Sequence, residues 1–500
     1  MKRWLLPIGV SVFLGGAGAA LAQEGVIQEV LDSAQELLDS ADTADTADTA
    51  PPADSGDTAD TGAVDSGPMD SGDTGWDTGD TGDWDECEGR GPFVGDLVFS
   101  SEDALVTWAQ DYNSVQGNLR LVGLDGLEDL SALGCLGSVS GKLELVKLSG
   151  VSDLSGLARL ESVGGDLRIV DNDKLTSLSG LERLESLGQI DIEGNAALQD
   201  LSGLSGLHSA KGLQLSGNAS LRQLSGLSGV ASLSNGLVIA DNPSLQELGP
   251  LGLQSTGTLV IQDNRGLRTL SGLDALRAVD GELVIMGNSR LVDLSGLGKL
   301  VLVEGGLLLR DNSLANLSGL EALTLVKGEL RIANEDTLRS LNGPRSLTRV
   351  GSLVLHDNAS LLTASGPALA VVGSLSIQGN PALMDIGLTE LVRAESVEIA
   401  DNKRLANLTG LESLALVDGQ LYIHDNDRLQ SLRGLDGLVR VGGALRVLSN
   451  PKLQSVMNID GVRGLGGLEI LGNGLPKGAT GSLVVSIGPE NIGGVVQVQR

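Results

Sequence analysis

Apolar residues in this chain recur in a fixed order that repeats every 22 to 24 residues. In one copy Leu167 and Ile169 alternate with Arg168 and Val170, and Leu175, Leu178, Leu181 and Leu184 then follow at intervals of three. Strict alternation predicts a short strand with one face inward. The later spacing predicts a coil that returns a leucine to the interior at each step. A period of this length marks a solenoid, each copy being one turn of chain stacked on the last. The first inward residue of each strand gives sixteen rungs: Leu119, Leu143, Leu167, Ile190, Leu213, Leu237, Leu259, Leu283, Leu307, Leu330, Leu353, Leu375, Val397, Leu421, Leu445 and Leu468. The expected fold class is therefore an all-β repeat solenoid.

One polar residue keeps the same beat. Asn172, Asn195, Asn218, Asn242, Asn264, Asn288, Asn312, Asn334, Asn358, Asn380, Asn402, Asn426, Asn450 and Asn473 each close a Gly-x-Leu-x-Ile-x-x-Asn phrase or a close relative. A coil that turns inside a stack leaves backbone N–H and C=O groups without ladder partners. An asparagine amide offers two donors and an acceptor to meet them, and bonds the next asparagine as well. The expected result is a structural amide ladder. Leu124 and Leu148 replace it on the first two rungs, and Asn334 arrives one residue early, which predicts a distorted rung at Leu330. Gly180, in the recurring Leu-Ser-Gly-Leu phrase, suits a corner that a side chain would obstruct.

The N-terminal 86 residues depart from this pattern. Lys2 and Arg3, a mostly apolar run from Leu5 to Leu21 and the small-residue site Ala20-Leu21-Ala22 predict a signal peptide over 1–22, cleaved near Ala22. Later residues contain no run of about 18 apolar positions, so no transmembrane helix is expected. A short helix is expected at Val26–Leu38, within an acidic linker over 23–86. From Ala41 to Asp85 the linker is a low-complexity Asp-Thr-Ala/Gly repeat, too charged and too poor in apolar residues to form a core. Its carboxylates fall mostly on every third residue, unlike the alternate spacing of an EF-hand loop. Residues 24–90 hold 20 acidic residues against one basic residue, whereas residues 91–500 hold 45 acidic and 31 basic. The net charge of -31 disfavours nucleic acid and anionic membranes as partners.

The run Gly165-Asp166-Leu167-x-Ile169-x-x-Asn172-x-x-Leu175-x-x-Leu178-Ser179-Gly180-Leu181 resembles the receptor L-domain family, which includes ligand-binding domains of insulin and EGF receptors and many secreted bacterial proteins. The likeness spans about residues 87–475 and implies a right-handed, leucine-rich β-solenoid. Cys87, the strand Leu97-Val98-Phe99, the helix-like stretch Asp103–Ala109 and Gly117-Asn118-Leu119 agree with it. The implied organisation is an N-terminal cap over 87–118, a solenoid over 119–475 and cap strands over 476–500, at Leu483–Ile487 and Val495–Val498. Two departures matter. The family's second cysteine is missing before Leu119, and Cys135 comes one rung later. Cys87 and Cys135 are then two rungs or about 9.6 Å apart, beyond the roughly 7 Å a disulfide spans, so a bridge requires the incoming segment to fold back. Sixteen rungs also make a rod of about 75 Å, longer than a receptor L domain, and hormone binding does not carry over.

Outward strand positions form ladders of their own. Arg120, Glu144, Arg168 and Asp191 alternate in sign, which suits solubility and register. On the central rungs the same position holds Val238, Val260, Val284 and Leu308, then Arg331 and Val354, with Met286 alongside. This apolar stripe is the candidate binding face, weighed against a plain β-branched strand preference. His356 and His424 lie three rungs apart, too far for one metal. No catalytic constellation, metal cluster or phosphate loop emerges, so neither an enzyme nor a cofactor is expected. The expected role is a secreted or cell-surface recognition or adhesion protein for a protein or envelope ligand, with self-association open. A passive envelope component is the alternative, and a polysaccharide-acting β-helix enzyme a weaker one for lack of aromatics.

Overall fold

The computed structural model describes residues 87–499, so the signal, the acidic linker and the helix expected at 26–38 lie outside the described residues. All sixteen inward positions from Leu119 to Leu468 stack in one parallel, in-register ladder. One further strand lies at each end, Leu97–Phe99 against Leu119 and Val496–Val498 against Leu468, making about 17 turns. The period and parallel pairing make the fold an all-β solenoid of the leucine-rich-repeat kind.

Each turn feeds two lanes of sheet. The front lane carries the alternating Leu-x-Ile strands. A side lane just upstream buries Val139, Val163, Val279, Val303, Val326 and their equivalents. Where the chain bends between lanes, successive backbones come so close that a Cβ on Gly164 would stand 2.2 Å from the Ser140 carbonyl oxygen. At the opposite corner Gly180 has φ +113° and its missing Cβ would meet the Leu154 oxygen at 1.9 Å. Glycine is required there on both steric and conformational grounds. The leucines spaced by three between these corners are buried, and with the inward strand residues they form one continuous core.

The N-terminal end is closed by β1 (Gly91–Val94), β2 (Leu97–Phe99), α1 (Glu102–Ala109) and β3 (Tyr112–Gln116). Trp108 on α1 stacks on Tyr112 and packs against Phe93 and Phe99, an aromatic plug over the first leucine layer. The opposite end corrects the sequence expectation. Residues 483–487 belong to a helix, α2 (Ala479–Ile487), and only Val496–Val498 is a strand. Leu483 and Ile487, four apart, are buried against the last rung while Val485 is exposed, so the helical period wins over β-branched propensity. Thr480 fixes the arrangement by donating its hydroxyl to the Gln499 carbonyl at 2.7 Å.

Candidate functional site

The asparagine positions line a buried polar seam. In a typical rung the Asn195 backbone N–H donates to Asn218 Oδ1 at 3.0 Å, while Asn195 Nδ2 donates to the Ile169 carbonyl at 2.8 Å and to Asn218 Oδ1 at 3.3 Å. The seam starts where the Leu148 N–H donates to Asn172 Oδ1, and ends where Gln499 Oε1 accepts from the Asn473 N–H. Asn172, Asn195, Asn218, Asn242, Asn264, Asn288, Asn312, Asn358, Asn380, Asn402, Asn426 and Asn450 are all buried, and Asn473 is half-buried at the end.

Asn334 is not in the seam, and Glu335 takes its place. Asn334 occupies the preceding left-handed corner, φ 54°, which Asp171, Asp241, Asp263 and Asp401 fill on other rungs. Asparagine is tolerated in that conformation as well as in the ladder, so its presence at 334 misdirects the count. The rung at Leu330 keeps its front-lane register on both sides, while its pairing with the next rung shifts at the lane bend, between Val326 and Glu329. The turn that Glu335 answers to lies one rung earlier, where only one residue separates Asn312 from Leu314 and two separate Asn172 from Leu175. The Leu175 N–H bonds the Asn172 carbonyl across that turn. In the shortened turn the Leu314 N–H instead donates to Glu335 Oε2 at 3.2 Å, while Glu335 Oε1 accepts from Asn312 Nδ2 at 2.8 Å. The longer carboxylate spans the gap that the deletion leaves. Burial is the main cause that pushes its pKa up, to about 7, against the lowering effect of these donors.

The expected apolar stripe is contiguous: Val238, Val260, Val284, Leu308, Arg331 and Val354 are register partners on six consecutive strands, with Met286 two residues beyond Val284. It is not an open apolar surface, however. Val284 and Val354 are buried and the others half-buried, because strands about 4.8 Å apart let branched side chains cover one another. The terminal charge ladder forms with an Arg120–Glu144 ion pair of 3.2 Å, and burial pushes the Asp191 carboxyl up. His424 stacks on Tyr422 at 3.9 Å and contacts Asp425 and Glu398. Among the described residues no group of three or more His, Cys, Asp or Glu is placed to hold a metal. Cys87 and Cys135 form a disulfide with Cα atoms 5.5 Å apart, the incoming segment folding back across one rung.

A groove that sequence reasoning missed runs along the bend between the lanes on the C-terminal half. Its volume is about 540 Å3, and Leu325, Arg349, Val371 and Arg393 line its wall. These are register partners on consecutive rungs of the side lane, on its outward face. The bend positions Gly351 and Gly373 make its floor, between Lys327 on one side and Glu395 and Asp418 on the other. A Cβ on Gly373 would meet the Gly351 oxygen at 2.2 Å, so the stacking that demands glycine also hollows the surface. The N-terminal counterpart of this column is hydroxylic: Ser138, Ser162, Ser186, Ser209, Ser232 and Ser255. From Ala278 onward it changes to Leu302, Leu325, Arg349, Val371, Arg393, Leu416 and Arg440. Val371 is 43% exposed, and Val301, Val392 and Val439 stand similarly exposed beside the column. This switch from serine to alternating arginine and aliphatic residues was the available signal.

Fold and site together define a leucine-rich-repeat-like β-solenoid with a recessed, arginine- and valine-lined side groove. No family model matches the chain, and no curated protein matches it. Among solved structures, the chain is similar to one in the crystal structure of a TLR13–ssRNA13 complex, with 16% identity over 81% of this chain and 78% of that one. The TM-score is 0.28, at which the likeness supports no argument about ligand.

Proposed function

We propose that the protein is a non-catalytic recognition or adhesion protein, exported under the signal over 1–22 and carried on the acidic linker over 23–86. In this reading the cap over 87–118 and solenoid over 119–475 are a divergent relative of the receptor L domains, as the Gly-x-Leu-x-Ile-x-x-Asn phrase suggests. One observation carries the reading: a recessed groove with exposed valines and arginines on a side lane that is hydroxylic in its N-terminal half. Ligand seats are concave, and arginine beside apolar area is the composition enriched at interface centres. The front stripe of Val238, Val260, Val284, Leu308 and Val354 then serves as a flat, rigid flank.

The experiment is capture of an envelope partner by the full chain, compared with Val371→Asp and Val260→Lys. Loss with Val371→Asp alone places recognition at the groove. Loss with Val260→Lys alone places it on the stripe, and equal capture by all three proteins overturns both.

A further inference from the structure

We propose that the side groove seats the segment Trp76–Trp84 of a second copy of this chain, so that molecules associate head to tail. The inference rests on the groove being a recognition surface and names its partner. Arg349, Arg393 and Arg440 occupy the outward side-lane column on every second rung, with Val371 and Leu416 between them. At the spacing of stacked strands the arginines recur about every 9.6 Å. The segment reads Trp-Asp-Thr-Gly-Asp-Thr-Gly-Asp-Trp, with Asp77, Asp80 and Asp83 at intervals of three. In a polyproline II conformation, with three residues per turn and about 3.1 Å per residue, those carboxylates fall on one face about 9.3 Å apart. Three carboxylates thus match three arginines in both number and pitch.

The partners suit one another chemically. Among the described residues Arg349 and Arg440 have no ion-pair partner, and Arg393 has one, Asp418 at 2.7 Å. A guanidinium offers five N–H donors, so Arg393 accepts a second carboxylate while keeping the first. Trp76 and Trp84 bring the aromatic anchors that the groove lining lacks, and Leu325, Val371 and Val439 offer apolar contact.

The segment cannot set its carboxylates on the arginines of its own molecule. Trp76 is only 11 residues from Cys87, which is bonded to Cys135 beside the second rung. Eleven extended residues span at most about 40 Å. Nine rungs, from Ser138 to Arg349, separate that anchor from the first arginine, about 43 Å along the stack. Asp83 falls shorter still. Docking is therefore between copies, and because segment and groove are different surfaces the contact is heterologous.

The test is sedimentation of the full chain over a range of concentrations at about 0.15 M salt, where screening within about 8 Å limits repulsion between acidic molecules. Expected is self-association that weakens at least tenfold in Arg349→Glu/Arg440→Glu and in Trp76→Ala/Trp84→Ala, both with unchanged thermal unfolding. A mixture of the two variants associates again, since each retains the half the other lost. A synthetic peptide of residues 73–86 competes, and one of equal composition with its aspartates clustered competes at least tenfold less. A wild-type chain monomeric throughout, a mixture that stays monomeric, or equal competition by both peptides overturns the inference. A monomeric wild type whose envelope partner is nonetheless lost on Val371→Asp would sink this inference alone and leave the recognition reading standing.

Discussion

Glu335 shows how far one side chain departs from the repeat to preserve it. A carboxylate in the seam accepts hydrogen bonds but, when ionised, has no proton to give. On neighbouring rungs the asparagine Nδ2 donates to the Ile285 and Ile332 carbonyls, and Leu309 is the equivalent residue between them. Burial raises its folded pKa above the ordinary 4.5 of a glutamate, to about 7, and the neighbouring charge of Asp311 adds to the rise. The proton is therefore bound more tightly in the folded chain. The contribution to stability is full below pH about 4.5 and is lost as pH rises through about 7, on the order of 3 kcal/mol. Glu335→Gln keeps one acceptor oxygen but replaces the other, which serves the Leu314 N–H, with a donor; that loss is independent of pH, so urea unfolding should still show wild type losing stability relative to this variant between pH 5 and 8. A constant difference across that range would refute the account. Glu335→Asn restores the repeat's own residue yet should destabilise by about 1–3 kcal/mol, since the Leu314 N–H loses its acceptor. Inserting one glycine between Asn312 and Leu314 in that variant should recover most of the loss.

At the scale of the rung, the asparagine is worth more in the middle of the seam than at its end. Asn264 Oδ1 accepts from both the Asn242 N–H and Nδ2, and its own Nδ2 donates to the Ile239 and Gln262 carbonyls. Asn264→Leu should cost about 3 kcal/mol or more, by the penalty for several orphaned buried groups. Asn473→Leu should cost clearly less, because Asn473 is half-buried and water substitutes; equal losses in chemical denaturation would contradict this. The rung was legible in the sequence because its periods are unambiguous: Leu167 and Ile169 alternate, and Leu175 to Leu184 step by three. What hid elsewhere did so for physical reasons. Asn334 suits two backbone environments, and only the three-dimensional register separates them. Leu483, Val484, Val485 and Ile487 fit a strand as well as a helix until the last rung supplies a surface for one face. The groove hid because it is built from positions that read as loop, the residues flanking a glycine bend, whose outward neighbours on other rungs are 22 to 24 residues distant.

For the whole molecule, stability is a sum over neighbouring rungs rather than over one globular core, so perturbations should stay local. The disulfide closes a segment with a sequence separation of 48 at the N-terminal end, a loop for which chain entropy gives about 4 kcal/mol. Reduction should therefore speed hydrogen exchange in the rungs from Leu97 to Val146 while leaving Leu421–Ile470 protected; uniform acceleration would indicate a single cooperative unit instead.

The amide seam also has a direction, and direction makes the two ends mechanically unequal. Every asparagine passes its backbone N–H to the oxygen of the following rung. Peeling a turn from the C-terminal end leaves the asparagine backbone N–H with no acceptor, whereas peeling one from the N-terminal end frees Oδ1 and takes one acceptor from Nδ2, which in Asn195 keeps a second within its own rung, the Glu193 carbonyl. Pulled from both termini, the chain should resist more strongly at its C-terminal end, where Gln499 already holds the last donor. The covalent clasp between Cys87 and Cys135 sits at the other end, the one from which the zipper opens most easily.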